Sequence, residues 1–327
     1  MEQATRQPIA TQILRVAVQV AFTAALVYWL LSRVDFGAAL GRASSVPIAA
    51  FLALAAGLML VLAATQLTRW ANILVALGWP LPFSAAVRVV LLTLFLNEVL
   101  PGSIGGDIGR VWLGRRLNLP TETAVTSVLL DRAAGMSALL ALSCISLVAI
   151  WLLSGGSAAF WSAAALVSAC SGAVAVFLAA RWLPTRVAAI RAVTDASRSA
   201  WKLLANTPIA AKIAAASFAS HLAYVTVAVV LAALIDPAIP TWAVLTLSPI
   251  CLLVAMLPIS LSGWGVREGA YVAALALVGT PAEAAVAISV LLGLASLTAS
   301  IGCGVAWAIS AATRTLGGPR SITPPVA

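Results

Sequence analysis

The chain has 327 residues, 62% of them hydrophobic and 9% charged, against roughly 25% charged in an average soluble domain. That balance excludes a water-soluble globular protein. The net charge of +9 does not indicate nucleic acid either, because the basic residues are spread between apolar runs rather than clustered in a soluble module.

In lipid the backbone must satisfy its own hydrogen bonds, and the sequence shows no alternating barrel pattern. The expected fold is therefore all-α, a polytopic integral membrane protein with residues 1–327 as a single membrane domain. Apolar segments run over 13–31, 46–68, 84–100, 121–153, 157–180, 212–235, 240–257, 265–279 and 284–312. A helix rising ~1.5 Å per residue needs about 20 residues to cross a ~30 Å hydrocarbon core. Val16 to Leu31 is followed by Ser-Arg-Val-Asp-Phe rather than a small-residue cleavage site, so it reads as a first span and not a signal peptide. Ala133 to Ala180 carries no charge and is broken only by Ser-Gly-Gly-Ser at 154–157, which predicts a tight helical hairpin. Trp29, Trp70, Trp151, Trp161, Trp182, Trp242 and Trp307 fall near segment ends, where an indole suits the headgroup level. Cys144, Cys170, Cys251 and Cys303 each lie within an apolar run without CxxC spacing and read as small packing residues.

Orientation follows from Lys and Arg in short loops. Arg6 and Arg15, Arg69, Arg115 and Arg116, the group from Arg181 to Lys212, and Arg314 and Arg320 are assigned to the cytoplasm; only 33–45, with Arg33 and Arg42, dissents. With Arg69 and Arg116 on one side, residues 84–117 must enter the membrane and return, as a re-entrant hairpin. A second hairpin is expected over 240–279, although two short full spans would leave the termini on the same sides. Between them three full spans intervene, so the two enter from opposite faces: about six full transmembrane helices plus two oppositely oriented re-entrant hairpins in an inverted repeat. Residues 181–212 form a basic amphipathic connector resting on anionic lipid or a plain cytoplasmic link, and 313–327 a disordered cytoplasmic tail.

The hairpin tips repeat each other. LPGSIGGDIGR at 100–110 and LPISLSGWGVR at 257–267 share Leu100/Leu257, Pro101/Pro258, Ser103/Ser260, Gly106/Gly263 and Arg110/Arg267 at identical spacing. Pro101 cannot continue a helix, while Gly105 and Gly106 permit close backbone approach. The arm that follows aims free N–H groups and a positive dipole end at the membrane interior, with Arg110 one turn in, an arrangement that favours an anion. Pro258, Gly263 and Arg267 repeat it, with Trp264 adding amphipathic surface. The candidate substrate-binding set is Arg110, Arg267, Gly105, Gly106, Ser103, Ser260, Gly263 and Trp264. Glu98, Asp107, Asp131, Arg132 and Glu268 are candidates for charge pairing or proton coupling. Together with the two arginines they are seven ions, and leaving them in lipid at about 2.5–3.5 kcal/mol each exceeds the usual 5–15 kcal/mol of net stability. They must face a polar interior, in pairs such as Arg110 with Asp131 or Arg267 with Glu98. His221, alone in an apolar span, is expected to hydrogen-bond a neighbouring helix. Catalytic and metal-ligating sets are missing, with no second histidine, no HExxH and no nucleophile elbow, so neither an enzyme nor a cofactor is expected.

LPGSIGGDIGR, LLDRAAG at 129–135, TRW at 68–70 and PISLSGWGVREG at 258–269 resemble the transmembrane region of lysylphosphatidylglycerol synthases and their stand-alone flippase-like relatives, over about residues 10–312. The resemblance implies movement of lipid across the bacterial cytoplasmic (inner) membrane. By position it marks Pro101, Gly105, Gly106, Asp107, Arg110, Asp131, Arg132, Gly263, Arg267 and Glu268. Ser103 and Ser262 stand where that pattern carries glycine, and Trp264 where a smaller residue is common. The synthases carry a soluble aminoacyl-transfer domain after the membrane part, and none follows here, so lysyl transfer is not expected.

The expected function is translocation of a phosphate-bearing lipid: a phospholipid, an aminoacyl-phospholipid or a polyprenyl-phosphate lipid. The alternative is a non-transporting accessory subunit presenting a lipid to a separate glycosyltransferase or aminoacyltransferase. Expected partners are membrane lipids with anionic headgroups. The orientation has a direct test: in a cysteine-free background, an impermeant thiol reagent on intact cells should label Ser157→Cys and spare Arg198→Cys, and the reverse pattern would overturn it.

Overall fold

The computed structural model describes residues 9–100, 105–183, 188–257, 260 and 262–315. Among them the regular structure is helical: α1 (Ile9–Arg33), α2 (Phe36–Ser44), α3 (Ile48–Ala76), α4 (Phe83–Val99), α5 (Gly105–Arg116), α6 (Thr121–Ser154), α7 (Ala158–Ala179), α8 (Ala188–Ala205), α9 (Thr207–Ile235), α10 (Thr241–Ala255), α11 (Val266–Ala276) and α12 (Ala282–Thr315). Pro47, Pro82, Pro120 and Pro240 stand immediately before α3, α4, α6 and α10, where a missing N–H interrupts no ladder. Gly155, at φ 59°, closes α6 with a left-handed cap that few other residues adopt cheaply, and so turns the chain tightly into α7.

Five helices are long and apolar enough to cross a membrane: α3, α6, α7 with the 3-10 turn that extends it to Trp182, α9 and α12. A sixth crossing results if α1 and α2, bent by 91° at Val34–Asp35, count as one broken span. The protein is thus an all-α polytopic membrane protein.

α12 is the centre of the bundle and packs on α2, α3, α4, α9 and α11. Lipid tails are as apolar as leucine, so helices associate in a membrane through close fit rather than hydrophobic expulsion, and small residues permit that fit. Along α12, Ser289, Gly293, Ser296, Ser300 and Gly304 recur at three- and four-residue spacing. Met59 of α3 fills the space beside Gly302, and Phe95 of α4 the space beside Gly304. The core continues through Leu231 and Ala232 of α9, Leu247 and Cys251 of α10, and Leu139 of α6.

Two pairs of short helices interrupt this frame. α4 and α5 pack together as a hairpin in which Gly105 lies against Leu100 and Leu96, Gly106 against Asn97 and the Thr93 carbonyl, and Gly109 against Leu96. α10 and α11 pair likewise, with Gly263, at φ 80°, set against the Ala255 carbonyl.

The structure revises four sequence expectations. Residues 36–44 of the dissenting loop form α2, whose Arg42 pairs with Asp236 at 3.4 Å, so that arginine is offset locally and carries little weight as a topology marker. α3 runs eight residues beyond the expected end at 68, to Ala76, because Gln66 and Arg69 lie on one face of an otherwise apolar helix and point inward. Arg69 is consequently a buried residue and not a cytoplasmic loop charge. Trp70 is also buried, its indole N–H donating to Ser127 at 3.2 Å, instead of sitting at the headgroup level. Of the 313–327 segment, α12 takes the first three residues, and 316–327 lie outside the described residues.

The hairpin glycines give a stability test. A Cβ at Gly106 would meet the Thr93 backbone, so Gly106→Ala should cost about 1–3 kcal/mol by overpacking. Gly172, in α7, has open space around it, so Gly172→Ala should leave stability unchanged or raise it by up to about 1 kcal/mol. Thermal unfolding in detergent separates the two variants.

Candidate functional site

Polar side chains inside a membrane bundle converge because each needs a partner. Asp131 of α6, 4% exposed, accepts from three neighbours. Arg69 of α3 grips it with two donors, Nε to Oδ1 and Nη2 to Oδ2, the latter at 3.2 Å. Arg110 of α5 donates through Nη1 at 2.8 Å, and Gln66 through Nε2 at 2.9 Å. Gln66 also accepts from Arg69 at 2.7 Å. One carboxylate therefore serves two guanidinium groups and ties three helices together. The next residue, Arg132, turns the other way and pairs with Asp107 of α5 at 2.8 Å, in a partly exposed position.

These groups form one wall of a cavity of about 290 Å³, at the lower end of ligand pockets, which span ~300–1,000 Å³. The first hairpin contributes Asn97, Glu98, Asp107 and Arg110; the second contributes Ala255, Met256, Ser262 and Arg267. Ser220, His221 and Tyr224 of α9 and Ser296 of α12 complete the polar lining. The tips touch directly, since the Ser262 hydroxyl donates to the Glu98 carbonyl at 3.4 Å. Ser262 holds φ at 47°, in the left-handed region that favours glycine.

The second tip satisfies its charge locally. Glu268 caps the Gly265 N–H with one carboxylate oxygen and takes Arg267 Nη2 at 3.1 Å with the other. The Arg267 guanidinium lies 4.9 Å from the Trp264 ring. Glu98 lies within electrostatic reach of Arg267 and beside Ser296. The expected Arg110–Asp131 pair is present. The expected Arg267–Glu98 pair is not the direct contact: the neighbour Glu268 takes that place, because a glutamate in the first turn of α11 can cap the helix and pair with arginine at once.

Among the candidate residues, Arg110, Arg267, Glu98, Asp107, Asp131 and Arg132 line the cavity. Gly105, Gly106, Gly263 and Trp264 shape the tips, and Glu268 stands behind Arg267. Ser260 is buried, and its hydroxyl has no hydrogen-bond partner among the described residues. Ser103, Pro101 and Pro258 lie outside the described residues. His221 donates from Nε2 to the Gly135 carbonyl on α6 at 3.0 Å, the neighbour-helix bond expected of it. Sequence reasoning missed Arg69 and Gln66 as site residues. Their signal was the i, i+3 spacing of two polar residues inside a helix that stays apolar through Ala76.

Among the described charged residues of the cavity wall, Arg110 is the one with a buried donor left unmet. It is 2% exposed, and its Nε has no hydrogen-bond partner among the described residues. It lies in the second turn of α5, whose N-terminal backbone leans toward anions.

Two broken-helix hairpins meeting at a charge-lined cavity within a bundle of membrane-spanning helices define a class of polytopic membrane protein built around a polar site in lipid. The chain belongs to the family described as the lysylphosphatidylglycerol synthase TM region, whose sequence pattern matches residues 16–304. No curated protein matches the chain.

Asp131 and Asp107 should separate by burial. Asp131→Asn leaves two buried guanidinium groups without their counter-ion and should cost about 3–5 kcal/mol, seen as loss of folded protein in detergent. Asp107→Asn breaks a pair whose arginine is 39% exposed, so the cost should be about 1 kcal/mol or less. That variant should fold and be impaired in function.

Proposed function

We propose that this chain moves a phosphate-bearing lipid between the leaflets of the bacterial cytoplasmic membrane, the headgroup passing through the cavity while the tails stay in the bilayer. The observation that carries the reading is Arg110: a buried guanidinium with an unpartnered Nε, at the wall of a cavity formed by both hairpin tips. A phosphate admitted between the tips would supply the acceptor that this sealed donor lacks, and a planar guanidinium suits phosphate oxygens.

In this reading the hairpins 84–117 and 240–279 are re-entrant and enter from opposite faces, as an inverted repeat. Such repeats place substrate sites where broken helices meet near the midplane. Both termini are cytoplasmic. α8 lies at the cytoplasmic surface: Arg191, Arg198 and Lys202 are solvent-accessible, Ile190, Val193, Trp201 and Leu204 are exposed for insertion, and Ala196, Ser197 and Ala200 pack inward. The chain carries out no covalent chemistry, and its partners are anionic-headgroup lipids.

The experiment is reconstitution in liposomes with single candidate lipids, measuring both binding and change of leaflet. Arg110→Ala leaves Asp131 paired with Arg69 and so should fold. It should weaken lipid binding by roughly 10- to 150-fold, the equivalent of losing a charge-assisted contact of about 1.5–3 kcal/mol. Arg110→Lys should retain part of the activity. Arg267→Ala should weaken affinity for the same lipid. Binding without leaflet exchange would favour an accessory subunit that presents lipid to a separate enzyme. Parent-level binding and movement in both alanine variants would refute the site.

A further inference from the structure

Arg267 differs from Arg110 in how it is held. Ser289 of α12, fully buried, accepts from Arg267 Nε at 3.2 Å and donates to Glu268 at 3.0 Å, so one hydroxyl joins both members of the ion pair to the central helix. One turn further along the same face, Gly293 leaves the space that the guanidinium fills. A Cβ there would collide with the Nη1, Nη2 and Cζ atoms of Arg267. The other tight glycines of α12 are occupied differently: Met59 and Phe95 fill the spaces at Gly302 and Gly304. Those two serve apolar helix packing. Gly293 makes room for a charge that lines the cavity.

We infer that Ser289 and Gly293 are positioning residues, a cradle on α12 that sets the Arg267 guanidinium at the cavity wall. This rests on the reading of Arg267 as a ligand for the lipid phosphate. The colliding atoms are the far end of a flexible side chain and not backbone. Alanine at 293 therefore leaves α12 where it is and moves the guanidinium. Alanine is also the better helix former, which offsets part of the cost of shifting the buried Arg267–Glu268 pair. Ser289→Ala removes the hydroxyl without adding bulk and should displace Arg267 less.

The test uses the full chain in detergent with two independent readouts. The first is modification of Arg267 by an aryl glyoxal reagent, mapped by mass spectrometry, which reports guanidinium placement without any lipid. The second is calorimetric titration with dihexanoyl phosphatidylglycerol. Gly293→Ala should still fold, with an unfolding temperature at or somewhat below the parent's, increase Arg267 modification several-fold, and weaken binding by about tenfold or more, the loss expected of one charge-assisted contact. Ser289→Ala should shift both readouts in the same direction by less. In an Arg267→Ala background, adding Gly293→Ala should change binding no further, because the group being positioned is gone. Parent-level modification of Arg267 in both variants would overturn the cradle, whatever binding does. An additive loss in the double variant would do the same. Increased modification with no binding by the parent protein would uphold the cradle and refute the lipid reading instead.

Discussion

A carboxylate that must neutralise two guanidinium groups in a low-dielectric interior is the constraint on which the rest of this protein hangs. Asp131 holds Arg69 on α3 and Arg110 on α5 at once, and neither arginine has enough water around it to stand alone. Removing the shared carboxylate leaves two uncompensated ions, whose penalty exceeds what a single apolar contact contributes. α5 is the element this serves. It is short and carries Asp107, Arg110, Arg115 and Arg116 within twelve residues, and α4, which packs against it, does not neutralise Asp107 or Arg110 among the described residues. Two consecutive residues of α6 do so instead: Asp131 takes Arg110, and Arg132, about 100° further round the helix, takes Asp107.

The second hairpin solves the same problem with local parts. Glu268 caps its own helix and pairs with its own neighbour, and Ser289 attaches the pair to α12. The first tip is therefore anchored across the bundle and the second mostly within itself. That difference has a consequence for the cavity. Arg110 retains an unpartnered donor, whereas Arg267 Nε and Nη2 both have carboxylate or hydroxyl partners. Under the proposed function, phosphate recognition begins at the first tip, and the second tip adds a charge already fixed in place.

A polar cavity in lipid also needs a frame that does not collapse. The frame is α12 with α3, α4, α9 and α11, brought close where small residues of α12 face larger side chains such as Met59 and Phe95. Close helices leave few voids except where a side chain requires one. Gly293 is such a place, and its partner is Arg267.

Much of this was legible in the residues. The spans follow from runs of about twenty apolar residues, and the hairpins from glycine and proline placed where those runs stop short. The repeat of Leu, Pro, Ser, Gly and Arg marked both tips, and the cost of seven ions in lipid required that they meet inside. The Arg110–Asp131 pair and a bond from His221 to a neighbouring helix, though not which helix, were expected from the residues. The helix over 36–44 was not, because its apolar and basic residues are too few for a periodic signal and its place is fixed by packing on α12 and by Asp236.

The sequence by itself determined the solvent of this protein, its helical class, the positions of its two broken helices and the need for a shared polar interior. Each follows from one-dimensional quantities: run length, charge count and backbone chemistry. Only the tertiary structure decided which charges pair, that Arg69 belongs to the site and not to a loop, and that Gly293 makes room for Arg267. Helical periodicity gives the face on which a side chain lies but not the neighbour that the face will meet. In a medium without water to satisfy stray donors, that neighbour settles whether a charge is structural support or a free hand for a ligand.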